Sequence, residues 1–267
     1  MRILARAAVG TATALSVLAP ASAVFATTSG SGTPAPSGQT AVSPSGSTTW
    51  QQVQAKLESE LQARVQVLGQ LTSSVGSDQT LSPQDKTALS GLLSNETSGI
   101  NQLLATVEAA TPQNTTVAQL RADAKTMVDQ YRVYLVMARQ VHLTEAADAQ
   151  TTVETKLENN ESRIQGAITK AGNPPDAVAA YNDLVTQVTH ATQATGAANI
   201  PAVLAVTPQG YPGDEGPLTA ARSSLGQAGT DLTAARGDLV TIRNVLTQHD
   251  SQINPSAGST TTTPAAT

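Results

Sequence analysis

The chain has no cysteine among its 267 residues. That excludes a disulfide framework, a thiolate nucleophile and thiolate metal sites together. It also excludes an N-terminal lipid anchor of the bacterial lipoprotein kind, which needs a cysteine just after the leader. Aromatic residues make up 2% of the sequence, with one tryptophan. A sugar-cleaving cleft lined by stacking rings is therefore not expected, and a broad core has little to fill it. The formal net charge is −5, and losing Arg2 and Arg6 with a leader takes it to −7. No lysine or arginine cluster is present, which argues against nucleic acid and anionic membrane surfaces as partners. No apolar run reaches the about 20 residues of a membrane span, so no stable membrane anchor is expected. The Gly-x-Ser-x-Gly elbow, the phosphate loop and His-Glu-x-x-His are missing as well. The sequence thus points to no catalytic residue, no cofactor site and no metal site, and it reads as non-enzymatic.

The first residues look like a secretory leader. Arg2 and Arg6 precede an apolar core over Ala7 to Leu18, and Ala21-Ser22-Ala23 offers small residues for cleavage. The expected leader is 1–23, with cleavage after 26 as the alternative. Residues 24–48 form a Ser/Thr/Gly/Pro linker, and 254–267 form a Thr/Pro tail of the same character. Neither carries enough apolar surface to offset the entropy of ordering. Both ends are candidates for O-linked sugars or for plain tethers.

Between these ends the apolar residues recur at helical spacing. A first helix is expected from Thr49 to Val75, ended by Gly76-Ser77-Asp78. A second opens on Ser82-Pro83 with Asp85 three residues past the cap, and Thr111-Pro112 stops it. Gly91 and Gly99 weaken it slightly. The third and longest runs from Thr116, with Gln119 completing a capping box, to Gly172-Asn173-Pro174-Pro175. Before that terminator it holds no proline and one glycine, Gly166. Unbroken, it would span about 80 Å at about 1.5 Å per residue. A fourth helix covers Pro175 to Thr195. A fifth, Pro217 to Gln248, steps through Leu218, Ala221, Leu225, Ala228, Leu232, Ala235, Leu239, Ile242 and Leu246, a seam alternating large and small residues. The loop 196–216 contains the apolar patch Ile200 to Val206, which should fold back onto the bundle or serve as a binding loop.

Short connections make neighbouring helices antiparallel. The expected fold is all-α: two three-helix bundles, 49–143 and 144–253, sharing one long central helix in an elongated, spectrin-like arrangement. The other layout is a single long bundle with the last helix beside the first.

One run stands out. From Tyr131 to Leu143 the long helix is apolar nearly all round, which marks either a buried junction between the bundles or an exposed binding surface. Tyr131, Arg132, Tyr134, Val136, Met137 and His142 are its candidate interaction or junction residues. His142, Glu145 and Asp148 follow at three-residue steps. A single helix with no second histidine nearby makes a weak metal set, so surface or capping roles are expected for them. Asp214-Glu215 are expected to lead into the N-terminus of the last helix, where negative charge is stabilising.

Leu81-Ser82-Pro83-Gln84-Asp85-Lys86, Leu120-Arg121-Ala122-Asp123, Tyr131-Arg132-Val133-Tyr134 and Val141-His142-Leu143 with Ala146-Ala147-Asp148 together resemble a group of uncharacterised secreted bacterial helical proteins, over roughly residues 60–170. Arg132 and Tyr134 match the group's Tyr-Arg-Val/Ile-Tyr core. Many members carry proline at or near the position of Arg139, and its loss here implies an unkinked helix. The resemblance transfers no function. Abundant alanine, threonine and valine fit a high-GC actinobacterial source.

The expected function is a secreted structural or interaction module of the cell envelope or its exterior, with a protein or cell-wall partner. The alternative is an extracytoplasmic chaperone holding unfolded clients, faintly echoed by Ser82-Pro83-Gln84; the acidic surface counts against it.

Overall fold

The structure is a computed structural model, and it describes residues 49–253, with side chains through Asp250. The expected leader, linker and tail, at 1–23, 24–48 and 254–267, lie outside the described residues. Among the described residues the fold is all-α with no strand. The helices are α1 (Trp50–Ser77), α2 (Pro83–Glu108), α3 (Val117–Gln130), α4 (Ala138–Glu158), α5 (Glu161–Lys170), α6 (Pro175–Ala197), α7 (Ile200–Leu204) and α8 (Gly216–Ile253), with a π-helical turn at Val133–Met137 between α3 and α4. None is long and apolar enough to cross a membrane.

Most helix ends follow local sequence chemistry. Thr49 and Thr116 form complete capping boxes with Gln52 and Gln119. Ser82 accepts from the Asp85 amide, with Pro83 at the first helical position. Asp78 closes the α1–α2 turn by accepting from the Thr80 amide at 2.6 Å and the Leu81 amide at 3.2 Å. Gly172 at φ 81° and Asn173 at φ 57° give the left-handed stop after α5.

The single helix expected over Thr116–Gly172 is not formed as one piece. Tyr131 (φ −121°, ψ 75°) and Arg132 (φ −89°, ψ 56°) leave helical geometry, the π turn follows, and Asn159-Asn160 interrupt the chain again before α5. The absence of a proline near Arg139 therefore did not preserve a straight helix. Contacts from distant parts of the chain meet the break at Tyr131 and Arg132.

Helix pairs pack antiparallel. α1 lies against α2, and α6 lies against α8. Three apolar clusters fill the seams. The first joins Leu57, Leu61 and Leu68 of α1, Leu89, Leu93 and Ile100 of α2, Leu120 of α3, and Val133, Met137 and Val141. The second joins Val136 and Ala147 to Val203, Val206, Leu218, Ala221 and Leu225. The third joins Ile168, Ala177, Ala180, Leu184, Val188, Ala235 and Ile242. The apolar patch of the 196–216 loop thus does fold back, with Val203 and Val206 buried in the second cluster. A polar layer also crosses the α4–α6–α8 packing. Gln150 donates to the Leu225 carbonyl at 2.9 Å, and Thr195 donates at 2.6 Å to the buried Glu154 carboxyl. Burial raises the Glu154 pKa, and the Thr195 hydroxyl offsets part of that.

Candidate functional site at the helix break

α3 ends without a left-handed cap, at Tyr131 with φ −121° and ψ 75°. Two carbonyls at the end of α3 are met by side chains, one distant and one local. Gln209, in the loop before α8, donates Nε2 to the Gln130 carbonyl at 3.2 Å. Arg132 turns back and donates Nε to the Asp129 carbonyl at 3.4 Å. Its guanidinium lies 5.5 Å from the Tyr211 ring centre and 3.8 Å from the Asp129 carboxylate. Asp129 is also paired with Lys125, and that hydrogen bond leads the effects that hold its carboxyl below the usual range.

Tyr131 is half-buried and turned toward α2. Its ring lies against the backbone at Gly99, where a Cβ would sit 2.5 Å from a ring carbon. Gly99 therefore does more than weaken α2: only a residue without a side chain leaves room for this ring. Glu96 lies one turn before it, on the same face of α2. It is 9% exposed, and one carboxyl oxygen has no hydrogen-bond partner. Burial pushes its pKa up to about 7.

The π turn distributes its side chains in three directions. Val133 and Met137 enter the first apolar cluster, and Val136 enters the second. Tyr134 and Leu135 point outward, 48% and 46% exposed. The Arg64 guanidinium of α1 lies 5.5 Å from the Tyr134 ring centre and pairs with Glu60 at 3.0 Å. The run from Tyr131 thus combines a junction, through Val133, Val136, Met137 and Val141, with an exposed apolar edge.

His142 is exposed, with Nδ1 3.3 Å from Glu145; this hydrogen bond raises the imidazole pKa, against the pull of burial. Glu145 also accepts from Ser74 at 2.7 Å, and Asp148 accepts from the Ser82 amide at 2.6 Å. Burial raises the Asp148 pKa, and the Ser82 amide pulls it down in part. Glu145 and Asp148 thereby fasten α4 to the two sides of the α1–α2 turn. Asp214 accepts from the Thr207 amide at 3.3 Å and shapes the loop ahead of α8.

Arg64, Gln140, Gln209 and Tyr211 were not distinguished by sequence reasoning, and Gly99 was read only as a weak point of α2. Gln140 is fully buried, and its Nε2 donates at 2.9 Å to both the Val203 and the Val206 carbonyls, closing the end of α7. Gln54 does the same for the end of α2, donating to the Val107 carbonyl at 2.9 Å and the Ala110 carbonyl at 3.3 Å. A glutamine on an otherwise apolar row was the one signal available for Gln140. No family model matches this chain, and no curated protein or solved structure does.

Proposed function

We propose that the protein is a secreted, non-enzymatic interaction module that engages a protein or cell-wall partner through the helix break. The observation that carries this reading is the outward placement of Tyr134 and Leu135 on a turn whose neighbours Val133, Val136 and Met137 are buried. Large apolar side chains held half-exposed on a well-packed support are the material of interaction hot spots. Arg64 stacked on Tyr134 adds a cation beside that ring. Kinship with secreted bacterial helical proteins, read from Tyr131-Arg132-Val133-Tyr134, belongs to the same proposal. So does a spectrin-like layout of two three-helix bundles, 49–143 and 144–253, with the central helix in segments.

The test is co-sedimentation of the mature protein with cell walls of the producing organism, alongside suppression of aggregation of a denatured client. Retention on walls that falls at least about tenfold in a Tyr134→Ser/Leu135→Ser variant is the expected result. A loss of about 1.4 kcal/mol suffices for that factor. Client protection that is lost in the same variant, without wall retention, would replace this reading with the chaperone one.

A further inference from the structure

The break at Tyr131 and Arg132 is not set by a helix-breaking residue. Asp129 through Leu135 contains neither glycine nor proline, and helix propensities there differ by only a few tenths of a kcal/mol. Helix starts in the first half of the chain carry their own signals, at Thr49, Ser82 and Thr116. At Tyr131 one closing group is local, Arg132 on the Asp129 carbonyl, and the rest come from other elements: Gln209 on the Gln130 carbonyl, Tyr211 under Arg132, and the groove at Gly99 that receives the ring. In an uninterrupted helix the Gln130 carbonyl would accept from the Tyr134 amide. Gln209 stands in for that donor. π turns arise where the regular ladder is displaced, and this one follows the break directly.

The segment that supplies Gln209 and Tyr211 is itself well organised. Asp214 accepts from the Thr207 amide, the Gly210 amide donates to Thr207 Oγ1 at 3.1 Å, and the Asp214 amide donates to the Gly210 carbonyl at 3.2 Å. A Cβ at Gly210 would fall 2.1 Å from the Asp214 carboxylate, so the turn is closed tightly. The base of the segment is held by Gln140 through Val203 and Val206. A chain of contacts therefore runs from α4 through Gln140, along residues 203–211, and onto the end of α3.

We propose that residues 207–214 are a latch that holds the central helix broken, and that releasing the latch lets residues 117–158 join into one continuous helix. The latched form buries Tyr131 against Gly99 and splits Val133 and Val136 between two apolar clusters. The released form restores the Tyr134 amide to the Gln130 carbonyl, moves Tyr131 off Gly99 and rearranges the apolar edge around Tyr134 and Leu135. The latch contacts are few and Gln209 is exposed, so a partner that competes for it needs only modest differential affinity to shift the balance. The latch stands independently of where the protein acts.

Backbone chemical shifts of Tyr131 and Arg132 test this directly. In the natural protein their Cα shifts should be non-helical. In a Gln209→Ala/Tyr211→Leu variant, which keeps apolar bulk at 211, they should move toward helical values, with amide–amide contacts running unbroken from Asp129 to Tyr134. Adding Arg132→Pro, which a continuous helix cannot accommodate, should return Tyr131 to its non-helical shift. The single Gln209→Ala change alters an exposed side chain and should move the shifts the same way to a smaller extent. Non-helical shifts in both the single and double variants would overturn the proposal. So would random-coil shifts through α3 and α4 in the double variant, since the latch would then support folding and not select between two folded forms.

Discussion

The Tyr131 ring occupies the space that a side chain at Gly99 would need. A Cβ there would lie 2.5 Å from the ring carbon and 2.7 Å from the phenolic oxygen. Gly99→Ala should therefore destabilise the protein by about 1–3 kcal/mol through overpacking, although alanine is the better helix former by about 1 kcal/mol. In a Tyr131→Ala background the clash is gone and the sign should reverse, with Gly99→Ala stabilising by up to about 1 kcal/mol. Urea unfolding of the four proteins of this cycle measures the coupling. Equal effects of Gly99→Ala in both backgrounds would rule the contact out.

Gln140→Leu removes both amide bonds to the Val203 and Val206 carbonyls. The Val203 carbonyl keeps the Val206 amide at 3.2 Å, so the Val206 carbonyl is the one left without its donor, at about 1–3 kcal/mol, partly offset because the Gln140 Oε1, itself without a partner, disappears too. The expected net loss is about 1–3 kcal/mol, with faster amide exchange along 200–206. Gln54→Leu at the end of α2 is the comparison: it lies nearer solvent, so water can replace its bonds, and its cost should be smaller. The reverse order would contradict the burial assigned to Gln140.

Where the chain order of polar and apolar residues fixes a feature, the sequence showed it: Thr49, Ser82 and Thr116 cap helices as their spacing demands, and Gly172-Asn173 stops α5. The apolar patch at Ile200–Val206 found its place in the second cluster for the same reason. The break at Tyr131 was not legible, because no glycine or proline marks it. The distant residues that meet it, Gly99, Gln209 and Tyr211, lie 32, 78 and 80 positions away in the numbering. Periodicity reports which residues seek a core, and says nothing of a carbonyl capped by a distant amide. Tyr134 and Leu135 illustrate the same limit. Their apolar character matched a junction, yet the π turn rotates them outward while Val133 and Val136 turn in.

Glu96 makes stability depend on pH in a direction that can be worked out. Its folded pKa stands at about 7 against an ordinary 4.5, through burial alone. Below about pH 4.5 both folded and unfolded chains hold the proton, and the group is neutral in its effect. Between about 4.5 and 7 the unfolded chain releases a proton that the folded chain keeps, so folding stability falls as pH rises. The full loss is at most about 3 kcal/mol above pH 7. Other carboxyls titrate in the same range, so the comparison is with Glu96→Gln. That variant should match the natural protein at pH 4 and exceed its stability at pH 8. Parallel stability curves across that range would show that Glu96 ionises freely in the folded state.

Ala235 is fully buried in the α6–α8 seam, in the same cluster as Ala177, Ala180 and Leu184. Alternating alanine with leucine lets two helices approach closely, and the space opposite an alanine is already taken. Ala235→Leu adds three carbons to that seam and should cost about 1–3 kcal/mol, lowering the melting temperature by several degrees for a chain of this size. Ala234 is the next residue on the same helix and is exposed. Leucine there gains no clash, and the change should stay within about 0.5 kcal/mol. The contrast between adjacent positions separates packing from helix propensity, which is nearly the same for the two substitutions. Similar melting temperatures for the two variants would mean that α6 and α8 are not held at the close spacing their alanines allow.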